Sequence, residues 1–266
     1  MSKMVQQEKS REKKQFLISI LLALIALVSV SAATVAWFTI ADFTKVRSMG
    51  MEITSGTNLR FDLDSHETFE EYVKTLSFSK IADRIQKDLG FDMRQVPLQP
   101  VTTSDVAIFT FEDGTIAEKN GGTYLTFTLH FMATDDMLVH LTSQDSDGDK
   151  DGTAVESSNH NLPDAMRISF TVNNNIYIYD PGMGNDSITQ ENIKWFGLSE
   201  SNQMVLNDHN QLFELKKDVD CPVTVHVWLE GTDANCTNDI SNADYSIRLR
   251  FVGTDDEHNI LDGDGR

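Results

Sequence analysis

The chain has 266 residues and a net charge of −19, which excludes nucleic-acid binding through a basic surface because a polyanion would be repelled. Apolar residues make up 40% of the chain and charged residues 24%, a composition typical of a folded globular protein rather than a disordered one. Two cysteines are too few for a disulfide-stapled miniprotein or a four-cysteine zinc module.

Residues 16–38 form an uncharged apolar stretch near the N-terminus. The basic residues that precede it are Lys3, Lys9, Arg11, Lys13 and Lys14. Its length suits the roughly 20 residues that span a bilayer and exceeds the ~7–15 of a signal-peptide core. The positive-inside rule keeps residues 1–15 in the cytoplasm and exports the chain after Phe38. A signal peptide cleaved between Ala36 and Trp37 and an uncleaved membrane anchor both fit this segment.

We therefore divide the chain into a leader, residues 1–36, and one exported domain, residues 37–266. Export affects the cysteines, because thiols outside the cytoplasm tend to be oxidised. A disulfide between Cys221 and Cys236 is predicted, worth about 3 kcal/mol on the entropic model. Two unpaired buried thiols are the alternative.

Alternation of apolar and polar residues with period two dominates the exported part and predicts half-buried strands. The runs are 59–63, 106–111, 125–131, 138–141, 166–172, 176–178, 223–229 and 247–251. The triplet Asn173-Asn174-Asn175 favours a turn, so a hairpin is expected between the strands on either side. This pattern predicts a mainly β fold, an antiparallel two-sheet sandwich.

Two segments are predicted to be helical insertions in this sandwich. Apolar residues in Thr68 to Leu89 occur near helical spacing, and Gly90 is a stop signal. A shorter helix is expected over Ser187 to Phe196, with Ser187 as its N-cap. Because neither internal repeats nor long flexible linkers divide the chain, one exported domain is expected.

An acidic segment near the middle of the chain has a composition suited to Ca²⁺. Its four carboxylates at alternate positions are Asp145, Asp147, Asp149 and Asp151. Against a twelve-residue calcium loop, a start at Asp147 puts Gly152 sixth but Ser158 twelfth. A start at Asp145 puts Glu156 twelfth but Lys150 sixth. A calcium-binding turn between strands and a solvated acidic loop are both open.

The leader ends in small residues, and an aromatic pair and then a segment ending in a Gly-x-Leu type of strand follow it, with one residue more than the usual spacing between Gly56 and Leu59. They read Thr34-Val35-Ala36-Trp37-Phe38-Thr39 and then Ser55-Gly56-Thr57-Asn58-Leu59-Arg60-Phe61. This succession resembles the TasA/camelysin-like exported proteins of Gram-positive bacteria, which are processed by a SipW-type signal peptidase. The resemblance implies a jelly-roll β-sandwich on the cell surface that sometimes forms matrix fibres by inserting an N-terminal strand into a neighbouring subunit. Here the donor would be residues 37–53; packing onto their own domain is the alternative.

Enzymatic motifs are scarce in this sequence. The nearest approach to a zinc peptidase is His66-Glu67-Thr68-Phe69-Glu70, in which Glu replaces the second His. His130 and His226 fall on polar faces of predicted strands and are expected to be solvated. A Gly-x-Ser-x-Gly elbow, a phosphate-binding glycine loop and a catalytic cysteine signature are absent from the sequence. We therefore expect a protein that is not an enzyme, with a camelysin-like metallopeptidase the least favoured reading.

The leading expectation is a structural or adhesive surface protein whose partners are copies of itself or other surface proteins, modulated by Ca²⁺ and attached to the membrane if the leader persists. A ligand-binding module for glycans or host molecules is the alternative. Its stacking surfaces would be the aromatic side chains of Tyr177, Tyr179, Trp195 and Trp228.

Overall fold

The computed structural model describes Ser19, the backbone of residues 45–53, and residues 58–143, 152–184, 186–198, 205–241 and 243–261. Contacts between Cα atoms separate the chain into two units, residues 1–41 and 42–266, and all the described strands belong to the second. The predicted cleavage site between Ala36 and Trp37, most of the predicted leader and the four aspartates of the predicted calcium loop lie outside the described residues. Among the residues described, no helix is long and apolar enough to cross a membrane.

The described residues form fourteen strands. In chain order they are β1 (Lys45–Ile53), β2 (Leu59–Asp62), β3 (Thr75–Leu76), β4 (Pro100–Val101), β5 (Leu125–Ala133), β6 (Met137–Leu141), β7 (Ala154–Ser157), β8 (Met166–Val172), β9 (Asn175–Tyr179), β10 (Ser187–Gln190), β11 (Ile193–Phe196), β12 (Gln211–Leu215), β13 (Cys221–Glu230) and β14 (Asp244–Thr254).

These strands form two mostly antiparallel sheets, which confirms the predicted mainly β class. The first sheet has the order β12-β6-β14-β1-β3, and β7 also pairs with β14. The second has the order β10-β11-β9-β8-β13-β5-β2, and β4 also pairs with β13. Three pairings are parallel: β1 with β14, β9 with β11, and β4 with β13.

Phenylalanine rings from both sheets meet in the core between them. The Phe131 ring, on β5 of the second sheet, lies 5.2 Å from the Phe251 ring and 5.3 Å from the Phe213 ring, both on the first sheet. Phe61 on β2 also contacts Phe251 edge-on, with a centroid distance of 6.2 Å. All four rings are buried, so their burial and edge-to-face contacts hold one sheet against the other.

Most of the predicted strands are confirmed, including the hairpin between β8 and β9. Asn173 and Asn174 have positive φ values of 48° and 68°, the conformation that a tight two-residue hairpin turn requires. The predicted strand at 106–111 is wrong. There the backbone makes only isolated bridges at Thr110, and Val106 has a φ of 58°. This segment instead buries Phe109 against the second sheet.

The predicted long helix is confirmed only in its second half. Helix α1 spans Phe78–Leu89 and begins after Ser77, whose side chain accepts a hydrogen bond from the Lys80 amide. The first half forms a short 3-10 helix at Phe69–Glu71 and then β3. The backbone N–H and C=O groups of this half pair with other strands instead of forming helical hydrogen bonds. β3 pairs with β1, and Val73 exchanges two hydrogen bonds with Phe61. A second helix, α2, spans Asn161–Ala165.

The predicted helix at Ser187 to Phe196 is wrong, because the segment is the hairpin of β10 and β11. Glu191 has a φ of 50° and lies in the turn between the two strands. Ile193 and Trp195 face one side of the sheet while Phe196 is buried in the core between the sheets. The four residues of β11 are too few for their apolar spacing to distinguish a strand from a helix. The segment forms a strand because β11 pairs in parallel with β9.

Replacing Gly90 with alanine should destabilise the protein by about 1 kcal/mol. Gly90 ends α1 with a φ of 84°, and nothing lies within 4 Å of an added Cβ, so the cost comes from the left-handed backbone alone. Urea unfolding of the full-length protein measures it. Gly121→Ala is the matched control, since its Cβ also meets nothing and its φ is not positive. Equal effects of the two substitutions would contradict this explanation.

Candidate functional site

The seam between β1 and β14 is the first candidate site, because it joins the beginning of the described domain to its end. The strands run parallel from Lys45 opposite Asp244 to Ile53 opposite Phe251, with one register shift between Val46 and Ser48. On its other edge β1 pairs with β3 at two positions only, Met51 and Glu52. In the described structure, therefore, this part of the predicted donor segment lies in the sheet of its own domain.

The register of this seam places opposite charges across from each other at both ends. Lys45 is opposite Asp244, and Glu52 is opposite Arg250. Opposite charges in facing positions of neighbouring strands favour one alignment over a shifted one. The residues of β14 that point into the core are nearly fully buried: Tyr245, Ile247, Leu249 and Phe251. The alignment therefore fixes both the backbone pairing and which face of β14 enters the core.

The stem of the predicted calcium loop lies along the other edge of β14. There β6 pairs with residues 251–254 and β7 with residues 245–248, so the chain leaves the sheet and rejoins it further along the same edge. The Thr153 amide donates to the Thr142 carbonyl at 2.9 Å and closes the stem. The acidic segment therefore connects two strands, β6 and β7, that pair with the same edge of β14.

Glu156, the only described member of the predicted calcium ligands, is exposed in β7 opposite Ser246. Two arginines of β14 lie next to the stem. Arg248 Nε donates to the Gly152 carbonyl at 2.7 Å, and Arg250 is nearly fully buried. Within the described part of the chain, no three His, Cys, Asp or Glu side chains form a group that could hold a metal ion.

The predicted disulfide is wrong, because Cys221 and Cys236 are both free thiols. Cys221 begins β13, which ends at Glu230, so these two residues lie roughly 30 Å apart along an extended strand. The six residues from Glu230 to Cys236 can return at most about 20 Å. The remaining gap exceeds the Cα separation of about 7 Å that a disulfide tolerates.

Both thiols should be unreactive in the native protein. Burial raises the pKa of Cys221 to about 11 and that of Cys236 to about 12, so almost no thiolate exists near pH 8. A thiol-specific reagent should therefore react slowly with folded protein and modify two thiols per chain after unfolding without a reductant. One or no reactive thiol in the unfolded protein would mean that a disulfide exists.

A hydrogen-bonded cluster surrounds Asp220 at the start of β13. Its carboxylate accepts from Tyr72 Oη at 2.8 Å and Ser65 Oγ at 2.9 Å, and lies 2.9 Å from His130 Nδ1. Burial alone would raise the pKa of Asp220, but the hydrogen bonds from His130, Tyr72 and Ser65 lower it overall. Because Ser65 donates to the carboxylate and not to the imidazole, the cluster lacks the order of a serine-histidine relay.

His66, the first residue of the incomplete zinc-peptidase motif, packs edge-on against the Tyr72 ring, with 5.0 Å between centroids. Its Nε2 lies 3.4 Å from Asp62 Oδ2. His66 therefore packs beside the Asp220 cluster through its contacts with Tyr72 and Asp62. His130, expected to be solvated, is instead half-buried in that cluster.

A buried ion cluster at the end of the second sheet has no counterpart in the sequence analysis. The Arg167 guanidinium pairs with the carboxylates of Asp180 and Asp233 and donates to the Asp164 carbonyl. Burial raises the pKa of Asp180, and the charge of Arg167 opposes that rise. The cluster connects α2 to the segments that follow β9 and β13, which gives it a structural role.

Two of the four aromatic residues proposed as glycan-stacking surfaces are buried. Trp228 is fully buried, and its Nε1 donates to Glu230 Oε2 at 3.0 Å. Tyr179 is 5% exposed in the core between the sheets. Tyr177 and Trp195 are half-buried. The four rings therefore do not form the exposed platform that the alternative function requires.

His226 is not the solvated side chain that the strand pattern predicts. Its ring packs against the stacked pair of Phe109 and Tyr124, with centroid distances of 5.5 Å and 6.2 Å. Burial lowers its pKa to about 4. His140 on β6 is fully buried, and burial lowers its pKa to about 4 as well.

These two histidines should make the folded state less stable as the pH falls from about 6.5 to about 4. In that range the unfolded chain takes up protons that the folded chain does not, at a cost of up to about 3 kcal/mol for each histidine. His226→Phe should remove its share of the pH dependence in urea unfolding. The exposed His160 provides the control, since His160→Gln should leave the slope unchanged. An unchanged slope in His226→Phe would contradict the assignment.

Comparison of the chain with protein-family models, with curated proteins and with solved structures finds no match to any of them. The function of this chain is therefore inferred from its own residues and their geometry.

Proposed function

We propose that this chain is a non-enzymatic surface or matrix protein that associates with copies of itself by exchanging β1. In this proposal the domain is exported, has a jelly-roll-like arrangement, and stays tethered to the membrane while its leader is uncleaved. The resemblance to TasA/camelysin-like proteins and the apolar leader with its basic flank support the surface location.

The observation that carries the proposal is the parallel pairing of β1 along β14. The two strands come from opposite ends of the domain, and only residues 54–58, Thr-Ser-Gly-Thr-Asn, separate β1 from β2 in the sequence. A β1 strand from a neighbouring copy could form the same backbone hydrogen bonds and place Lys45 at the same register position, opposite Asp244. Strand exchange therefore needs no surface beyond the one that the monomer already uses.

Without β1, β14 would become an open edge. It is eleven residues long and contains no proline, and its first half alternates buried residues with half-buried polar ones, while its last six residues are all buried. Such an edge recruits another strand, because its unpaired N–H and C=O groups need partners. The pairing requirement therefore favours closure by some β1, either that of the same chain or that of a neighbour.

The net charge of −19 opposes close packing of many copies. We propose that Ca²⁺ binds the acidic segment that includes Asp145, Asp147, Asp149 and Asp151 and reduces this repulsion. The closed stem at Thr142 and Thr153 supports the proposal, because it holds the two ends of that segment together on the sheet.

Cysteine cross-linking between two different variants should detect exchange. Ser48 and Ser246 are opposite each other in the seam, so one variant carries Ser48→Cys and the other carries Ser246→Cys. Both proteins begin at Trp37. Both also carry Cys221→Ser and Cys236→Ala, which remove the native thiols. After the variants are mixed at high concentration and oxidised, disulfide-linked heterodimers should form. Their yield should rise with Ca²⁺ and fall with a chelator.

Two controls make the outcome decisive. A chain with both Ser48→Cys and Ser246→Cys should form an intrachain bridge at high dilution, which tests the register itself. Ser48→Cys mixed with Ser187→Cys should not cross-link, since Ser187 is exposed on β10 of the other sheet. If the double variant forms its bridge and the mixed single variants form no heterodimer at any concentration, β1 stays in its own domain and the proposal fails.

A further inference from the structure

Two histidines that are 118 positions apart in the chain meet at one end of the first sheet. His140 lies on β6 and is fully buried. His258 lies in the turn that follows β14, and its side chain is 21% exposed. Neither belongs to the seam, to the calcium segment or to any motif of the sequence analysis, and we call them the histidine pair.

The facing nitrogens of the histidine pair are His140 Nε2 and His258 Nδ1, 3.4 Å apart. This distance is long for a hydrogen bond between ring nitrogens, which prefers about 2.9–3.0 Å. Two imidazole nitrogens bound to one tetrahedral metal ion at 2.0–2.1 Å lie roughly 3.3–3.4 Å apart. The rings are almost perpendicular, at 83°, with centroids 5.2 Å apart, near the roughly 5 Å that such a shared ion requires.

The other nitrogen of each ring faces an oxygen. His140 Nδ1 lies 3.1 Å from Asn210 Oδ1, and His258 Nε2 lies 3.2 Å from Asp208 Oδ1. Metal-binding histidines usually donate their second N–H to a carboxylate or carbonyl oxygen, which fixes the tautomer and the ring orientation. Both rings of the pair therefore have the outer hydrogen bonds of metal ligands.

The orientation of Asn210 fixes the tautomer of His140. The amide nitrogen of Asn210 donates to the Val205 carbonyl at 2.7 Å, and its Oδ1 also accepts from the Asn207 amide at 3.1 Å. His140 Nδ1 must then carry the proton that is donated to Asn210, so the lone pair of Nε2 is directed to the side of His258. Burial lowers the pKa of His140 to about 4, which keeps that lone pair free at neutral pH.

A rigid turn holds His258 in position. Asp255 Oδ1 accepts from the amides of Glu257 and Asn259, and the His258 amide donates to the Asp255 carbonyl at 3.0 Å. His258 itself has a φ of 63°. Thr254 Oγ1 lies 3.1 Å from His140 Nε2 and adds an oxygen at the same place. The ring is thus preorganised toward His140 before any ion arrives.

We propose that His140 Nε2 and His258 Nδ1 bind a divalent transition-metal ion of the zinc class. Thr254 Oγ1 and water would complete the coordination through the solvent-exposed side of His258. The ammonium group of Lys194, which donates to the carbonyls of Asp208 and Gln211, is the nearby positive charge that opposes the ion.

The test uses full-length protein without an affinity tag. Zn²⁺ is titrated calorimetrically in excess Ca²⁺, which occupies oxygen-rich sites, and Co²⁺ absorption reports nitrogen coordination. One ion per chain should bind at the pair. His258→Gln should weaken binding at least tenfold, and Asp208→Ala should weaken it about tenfold by removing the outer hydrogen bond. His209→Gln is the matched control, because His209 lies beside Asp208 but contacts the Gly197 carbonyl through its Nε2.

The proposal is overturned if the wild-type protein binds no Zn²⁺, or if His258→Gln binds it as tightly as the wild type does. Circular dichroism of each variant checks that it folds. Asp208→Ala gives an independent answer if His258→Gln is unfolded, since the Asp208 side chain is 94% exposed. Equal affinity of wild type, Asp208→Ala and His209→Gln would also overturn the proposal.

Discussion

Both edges of β14 are paired, which places this strand inside the first sheet, and the rest of the domain follows from how the chain makes these pairs. β1 pairs with one edge at eight positions, and β6 and β7 share the other. This pairing directs Phe251 into the core, where it meets Phe61, Phe131 and Phe170 of the second sheet. A one-residue slip of β14 would turn these contacts toward solvent, so the seam and the core specify each other.

The strands with strict alternation could be predicted because their signal is local. In β5, Leu125, Phe127, Leu129 and Phe131 are all buried, as the pattern requires. Residues 68–77 and 187–196 are different, since their apolar spacing is compatible with both a helix and a strand. What decides there is pairing with residues far away in the chain: Val73 with Phe61, and Trp195 with Ile178. The sequence contains no record of that proximity.

The disulfide prediction is wrong because the strand is longer than the sequence pattern indicates. The predicted strand at 223–229 spans roughly 20 Å, and the residues from Cys221 to it and from it to Cys236 can cover roughly 30 Å, so that pattern still allowed the bridge. In the structure β13 spans Cys221–Glu230, so the strand begins at one cysteine and only six residues remain to return toward the other. The added strand length at both ends separates the thiols, whereas the redox argument from export concerned only whether thiols oxidise.

The histidine pair could not have been found by spacing. His140 lies in the run Met137-Leu138-Val139-His140-Leu141, where all five residues are buried, and there it resembles an isolated core histidine. His258 lies in an acidic tail where a solvated imidazole is the ordinary expectation. Only the end of β14, which brings the 255–259 turn back over β6, places the two rings together. The proximity of the two histidines follows from the order of the strands in the sheet, so it can be recognised only once that order is known.

The proposed exchange of β1 has an energetic consequence that connects the seam to the membrane leader. Because the β1–β14 contacts are the same within one chain and between two chains, their free energies cancel between the closed and the exchanged forms. The balance then depends on the short connection of residues 54–58 between β1 and β2, on charge repulsion, and on concentration. A tethered strand acts at an effective concentration in the millimolar range for its own domain, so dilute protein should remain closed. Retention of many copies on one membrane surface would raise the local concentration toward that range, and Ca²⁺ would lower the repulsion that opposes it.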